Sequence, residues 1–325
     1  MWTSVQFSNS NRMRFATAIV LSLILTTSCT TKTAIKPCEG FVNVNGGKIW
    51  YRVIGQSNKT PLLMLHGGPG YPSYYLNPLL PLANERPVIL FDQLGCGRSD
   101  RISDTTLMTV DHHIEQIDQL LSVLNVKEFY LYGHSWGTML GIDYYLKNNE
   151  RIKGLILAGP CLSAEIWVRD SDALISTLPD SIQVILRNDV RGVKQDSSIR
   201  SSAIRIYADN FYTRKLPRSK DVEASEAQIG HSVYEYMWGL TEFSATGTLK
   251  SYDRTADLDK IKVPTLYLAG EFDVATPKTV RYYQSLTPGA KLKIIGNAGH
   301  MTMHDNPTED LRAISEFLAG LDKAD

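Results

Sequence analysis

Ser135 lies in Gly133-His134-Ser135-Trp136-Gly137, a G-x-S-x-G pattern between the apolar run Phe129 to Tyr132 and a helical stretch. A serine hydroxyl is a weak nucleophile until a base takes its proton, and the base needs an acid to orient it. In a strand–turn–helix setting the flanking glycines let strand and helix approach closely. The serine oxygen is then lifted clear of the sheet and faces the helix N-terminus. The matching chain order is serine, acid, histidine. Asp273 follows the run Thr265 to Ala269, and His300 follows Lys291 to Ile295 in Asn297-Ala298-Gly299-His300. The expected roles are Ser135 as nucleophile, His300 as general base and then acid, and Asp273 as orienter of the imidazole. Glu271 is the rival acid, closer to its strand end. An oxyanion needs two preorganised N–H donors. Trp136, the residue after the nucleophile, supplies one, and Gly68 of His66-Gly67-Gly68-Pro69-Gly70 is expected to supply the other. Of the remaining histidines, His134 is expected to point away from Ser135, and His304, one turn after His300, could line the pocket. His112, His113 and His231 have no glycine-loop setting and read as packing or surface residues.

These residues need a scaffold that brings strand ends together. Short apolar runs occur at Pro61 to Leu65, Pro87 to Phe91, Glu128 to Tyr132, Ile152 to Ala158, Val263 to Gly270 and Lys291 to Ile295. Helical spacing follows several of them, as in Ile114, Ile117, Leu120, Leu121 and Leu124. Such alternation predicts an α/β fold with a mostly parallel sheet covered on both faces. In such sheets ligands gather at the carboxyl ends of the strands, where the glycine-rich segments lie. Phe41 to Asn45 and Lys48 to Ile54 around Gly46-Gly47 read as a hairpin. Residues 163–252 lack strand-like runs and read as helices, at Leu174 to Leu178, Ile182 to Leu186, Ala203 to Tyr212 and Ala224 to Trp238. The division expected is a core of residues 41–162 and 253–325, interrupted by a helical cap at 163–252. Thr308 to Leu321 closes as an amphipathic helix capped by Asn306 or Thr308.

The chain has 325 residues, with 34 Lys and Arg against 34 Asp and Glu. Its 43% hydrophobic content is that of a globular protein. The balanced charge gives no electrostatic reason to expect nucleic acid. The four cysteines are too few and too scattered for a disulfide scaffold or a zinc site, and nothing in the sequence calls for a metal or an organic cofactor. The sequence does not indicate an oligomeric state.

Residues 1–28 read as an address rather than as fold. Arg12 and Arg14 precede an uncharged apolar stretch, Phe15 to Leu25, too short to span a bilayer. Leu25-Thr26-Thr27-Ser28-Cys29 resembles a bacterial lipobox, with Thr26 where leucine is commonest. The expectation is a lipoprotein signal over 1–28, a lipidated Cys29, a tether over 29–40, and an enzyme held by its lipid at a membrane of the bacterial cell envelope, facing the periplasm or the surface. Three cysteines then remain, so at least one thiol is free.

HGGPG at 66–70, DQLGCGRSD at 92–100, GHSWG at 133–137, GEFD at 270–273 and the segment from Glu242 to Lys250 together resemble the proline iminopeptidases (prolyl aminopeptidases), including the tricorn-interacting aminopeptidase branch. The resemblance runs from about Phe41 to Leu321. It implies an α/β-hydrolase fold and a serine aminopeptidase that releases N-terminal proline, or another small residue, from short peptides. It also implies an acid in the cap that holds the substrate's α-amine, matched here by Glu242. A second such acid does not carry over clearly, and Asp221 and Glu223 are the nearest candidates. Trp136, Trp238 and Phe272 could wall the pocket for the first residue. Arg98 is expected to pair with a carboxylate beside the elbow. The other reading is an ester, amide or lactone hydrolase of small molecules on the same machinery, which would need no carboxylate for an ammonium.

Overall fold

The computed structural model describes residues 35–323. The address segment and Cys29 lie outside the described residues. Eight strands form one sheet: β1 (Cys38–Val44), β2 (Gly47–Ile54), β3 (Leu62–Leu65), β4 (Val88–Phe91), β5 (Phe129–His134), β6 (Ile152–Ala158), β7 (Thr265–Gly270) and β8 (Lys291–Ile295). Their order is β1-β2-β4-β3-β5-β6-β7-β8. The six strands from β4 to β8 are parallel, and β1 and β2 form the antiparallel edge. The hairpin turns at Gly46 with Val44 opposite Gly47. Strand β1 starts at Cys38, inside the stretch read as tether, because Cys38, Glu39 and Gly40 pair with Val53, Arg52 and Tyr51.

The central strands are apolar because both faces are covered. Every residue of β3 is fully buried. Leu63 and Leu65 join one core while Leu62 and Met64 join the other, as the two-residue period of a strand requires. Helices α1 (Val110–Val123) and α2 (Trp136–Lys147) flank the sheet. The inserted segment carries α3 (Ala164–Ile175), α4 (Asp180–Val190), α5 (Ser197–Phe211), α6 (Lys220–Ala227) and α7 (His231–Met237). The chain returns to the core through α8 (Pro277–Leu286), α9 (Thr302–Asp305) and α10 (Pro307–Leu321). Asn306 caps α10 by accepting from the Glu309 N–H.

The two ends of the insertion meet. Ser163 and Asp253 form an antiparallel bridge, the Ala164 N–H donates to the Tyr252 carbonyl, and the Arg254 N–H to the Leu162 carbonyl. The helix expected over Ala224 to Trp238 is broken into α6 and α7 at Gln228–Gly230. Tertiary contact explains the break. The Gly230 N–H donates to the Gly70 carbonyl at 2.8 Å, and a side chain at Gly230 would meet the Gly95 carbonyl oxygen at 2.5 Å. The cap is thereby fastened to the core at the loop after β3, which holds Gly70, and at the turn after β4.

That turn is organised by Asp92. Its carboxylate accepts from the Ser73 N–H and hydroxyl and from Arg98 through the backbone N–H, Nε and Nη2. The Arg98 guanidinium lies between Trp50 and Tyr74, 3.3 and 3.9 Å from the ring centres. Burial disfavours the Asp92 anion, but the charge and hydrogen bonds of Arg98 outweigh it and hold the carboxyl below its usual range.

Asp310, at the start of α10, is different. It is fully buried, accepts from the Thr302 hydroxyl, and keeps Oδ2 without a hydrogen bond. Burial pushes its carboxyl up to about 7. Between pH 4 and 7 the folded state therefore holds a proton that the unfolded chain has lost. The cost of this group grows as pH rises through that window and is complete above pH 7. Asp310→Asn should raise Tm by a few degrees at pH 8 and change it little at pH 4.5. Thermal unfolding at the two pH values checks this, and an unchanged or lower Tm at pH 8 would contradict it.

Candidate active site

Ser135 is the single residue between β5 and α2, at the N-cap of the helix. Its backbone has φ 56° and ψ −121°, a strained conformation of the kind that gathers at reactive centres. The Ser135 N–H is held by the Ala158 carbonyl at 3.0 Å. Gly137 has no room for a side chain, since a Cβ there would lie 2.3 Å from the Leu65 carbonyl oxygen. That close approach packs α2 against β3 and lifts the serine.

His300 and Asp273 come together as expected. His300 Nδ1 donates to Asp273 Oδ1 at 2.7 Å, and both side chains are buried. Asp273 also accepts from the backbone N–H groups of Ala275 (2.8 Å) and Gly270 (3.2 Å), which fixes the carboxylate. Glu271 accepts from the Asn297 N–H instead. With Nδ1 carrying the proton, Nε2 is the basic nitrogen. It is buried, makes no hydrogen bond, and belongs to a ring that borders the same cavity as Ser135. Trp167 and Tyr212 meet the imidazole edge-on, at 5.5 and 5.2 Å between ring centres.

Gly68 and Trp136 border one recess together with Ser135. Among the described residues no group accepts from either backbone N–H. The two segments are coupled through Gln93. The Trp136 indole donates to its Oε1 at 2.9 Å, while the Gln93 N–H donates to His66 Nε2 at 2.9 Å. His66 Nδ1 in turn donates to the Gly67 carbonyl at 2.9 Å. Burial holds the His66 ring neutral, in keeping with that one-donor, one-acceptor pattern.

A cavity of about 310 Å³ opens over these groups, roofed by Ile204, Tyr207 and Tyr212 of the cap. A narrow recess between Gly68, Trp136, Met139, Cys161, Trp167 and Trp238, with room for about one water, adjoins Ser135. Glu242 borders both spaces. Its two carboxylate oxygens accept from the hydroxyls of Tyr212 and Tyr234. Burial raises its carboxyl above the usual value, although the two tyrosines pull the other way.

Several expectations are corrected here. Phe272 is 36% exposed, stacks under Arg214 at 3.9 Å, and lines neither space. Asp221 accepts from the Asn77 amide, and Glu223 lies at a separate pocket, so neither reaches the cavity. The second cap acid that does, besides Glu242, is Glu226, already paired with Arg218 at 2.6 Å. His304 is spent on the Tyr75 carbonyl and Ser219 and does not line the cavity. His134 does not turn away from the site: it borders the same cavity as Ser135, and its ring sits 4.5 Å from that of His300. Trp167 escaped the sequence reading because it lies on a cap helix with no motif around it. Cys38, Cys96 and Cys161 are all free thiols, and burial pushes the Cys96 thiol up, away from reactivity.

A buried acid–histidine pair and a strained serine bordering one cavity, with two unpaired backbone N–H groups on the adjoining recess, define a serine hydrolase on a parallel α/β sheet. A model of the alpha/beta hydrolase fold family matches residues 60–307. A proline iminopeptidase of Heyndrickxia coagulans is 39% identical over 282 residues, covering 86% of this chain and 98% of that one. One from Saccharolobus solfataricus is 35% identical, covering 86% and 92%. The crystal structure of the Mycobacterium smegmatis proline iminopeptidase superposes with a TM-score of 0.82 at 27% identity, over 88% of this chain and 99% of that one. The chain belongs to the proline iminopeptidase family of α/β-hydrolases.

Proposed function

We propose that this enzyme is a serine aminopeptidase that releases N-terminal proline, or another small N-terminal residue, from short peptides. The observation that carries this reading is Glu242, a carboxylate in the cavity wall that also borders the recess beside Ser135. A buried ammonium needs an anionic partner, and an esterase would have no use for one there. The similarity to relatives named proline iminopeptidase supports the same conclusion.

In this scheme Glu242 holds the substrate's α-amine and the recess takes the first side chain. The apolar walls of the recess suit a proline ring, which seats there as Trp167 or Trp238 shifts. Ser135 Oγ attacks the first carbonyl carbon while His300 Nε2 takes the hydroxyl proton. The oxyanion is held by the N–H groups of Gly68 and Trp136. His300 then passes its proton to the departing peptide nitrogen. Water, deprotonated by the same imidazole, cleaves the acyl-enzyme and frees the amino acid and the serine. Asp273 stabilises the imidazolium formed between the steps. The cap over the site limits substrates to short peptides, in line with the resemblance to the tricorn-interacting aminopeptidase branch.

The deciding measurement is kcat/KM for four substrates: a proline arylamide, an alanine arylamide, N-acetylproline arylamide and a simple acyl ester. The expected order has the free-amine proline substrate first and the acetylated one last. An ester in the lead, with no penalty for acetylation, would favour the small-molecule ester, amide or lactone hydrolase instead.

We further propose that Cys29 is lipidated and holds the enzyme at a membrane of the cell envelope. Arg12, Arg14, the apolar stretch 15–25 and the Leu25-Thr26-Thr27-Ser28-Cys29 sequence support this. No helix among the described residues is long and apolar enough to cross a membrane. Expression with labelled palmitate tests the anchor, with label expected on the wild-type chain and lost in Cys29→Ser.

A further inference from the structure

Tyr75 and His134 take no part in the scheme above, yet they join its three working segments. Both are buried, at 0% and 2% exposure. The Gly67 N–H donates to Tyr75 Oη at 2.8 Å. Tyr75 Oη lies 2.9 Å from His134 Nδ1, and His134 Nε2 lies 3.0 Å from the carbonyl oxygen of His300. The direction of each bond follows from what the groups can do. A carbonyl only accepts, so His134 Nε2 carries the hydrogen. A neutral imidazole then has its lone pair at Nδ1, which takes the single proton of Tyr75. A lone pair on Tyr75 Oη takes the Gly67 N–H. The result is a one-way chain from Gly67 through Tyr75 and His134 to His300. Burial keeps His134 neutral, which the chain requires.

The chain connects the loop that carries Gly68, the elbow that carries Ser135, and the turn that carries His300. Tyr75 is itself fixed through its backbone. Its carbonyl accepts from His304 Nε2 at 2.7 Å, and its N–H donates to Ser225 Oγ of the cap at 3.1 Å. His304 Nδ1 accepts from the Ser219 hydroxyl at 3.1 Å.

We propose that Tyr75 and His134 are positioning residues that fix the separation of the Gly68 N–H and the His300 imidazole about Ser135. The proposal rests on the serine acyl-transfer reading but not on the preference for proline. Oxyanion stabilisation and proton transfer need both groups aligned at the transition state, whereas Glu242 and the recess bind the ground state without them. Loss of the chain should therefore appear in kcat and not in KM.

The test compares Tyr75→Phe, His134→Asn, His134→Gln and the double variant Tyr75→Phe/His134→Asn, each on the proline arylamide and on an acyl ester. Use of both substrates separates this proposal from the one on proline, because a chain that loses only the proline preference still reports through the ester. Tyr75→Phe is expected to lower kcat by about 10- to 100-fold on whichever substrate is turned over, with KM within about threefold. Asparagine at 134 keeps an acceptor for Tyr75 but does not reach His300, and should lose kcat similarly. Glutamine, whose amide can reach the His300 carbonyl, should recover most of it. The double variant should lose no more than the worse single one, as expected of one connected unit. A Tyr75→Phe kcat within threefold of wild type would overturn the proposal. So would losses that multiply, or a raised KM at unchanged kcat, which would mark direct substrate contact. If Tyr75→Phe shows no cooperative melting, the comparison at position 134 decides, and a glutamine no better than asparagine overturns the proposal.

Discussion

Ser135→Ala should lower kcat by about 10⁴- to 10⁶-fold, the range for loss of a nucleophile that works as a unit with its base. The side chain removed is one hydroxyl on a residue whose conformation is set by its neighbours. The Ser135 N–H bond to Ala158 and the packing of Gly137 on Leu65 do not involve Oγ. The variant should therefore fold and melt within a few degrees of wild type. Alanine at φ 56° is no worse placed than serine. A fluorophosphonate probe gives a second readout, with stoichiometric labelling expected for the wild type and none for the variant. Turnover near the wild-type rate by a folded Ser135→Ala protein would remove Ser135 from the mechanism.

Glu242→Gln isolates charge from shape. Glutamine keeps the volume and can still meet the hydroxyls of Tyr212 and Tyr234. What it loses is the anion. An ammonium in a largely apolar cavity then has no counter-charge, at a cost of several kcal/mol. The expected result is a fall of about 10²- to 10³-fold in kcat/KM for the free-amine proline arylamide, with the acyl ester changed less than about threefold. Equal losses on both substrates would sink the amine anchor. The same residue sets a pH dependence. Because burial raises the Glu242 carboxyl, the anion is lost on acidification earlier than for an ordinary glutamate. The wild-type kcat/KM for the free amine should therefore fall more steeply than that for the ester as pH is lowered. In Glu242→Gln the two profiles should run parallel.

The core strands could be read from the chain because a parallel strand covered on both faces is an apolar run, and Leu62–Leu65 and Val88–Phe91 are buried throughout. The triad could be read because each member ends such a run within a short local signature. The cap was harder. Its helices are amphipathic and half exposed, so their limits are set by what they touch. Leu174–Leu178 turned out to straddle the end of α3, and the break at Gly230 exists only because that backbone docks on Gly70 and Gly95.

What the sequence determined by itself is the set of local features: the strained serine turn, the acid and histidine at strand ends, the glycine loop, and the alternation that builds the sheet. These depend on neighbours in the chain, and propensity and periodicity report them directly. Only the tertiary structure decided how distant groups meet. It put Tyr212 and Tyr234 on Glu242 and Trp167 against His300. It also ran Tyr75 to His134 across 59 residues and His134 to the His300 carbonyl across 166. A hydrogen bond or ring contact between such positions leaves no spacing in the sequence. Its partners are chosen by which side chains the packed sheet and cap bring within about 3 Å once water has been excluded.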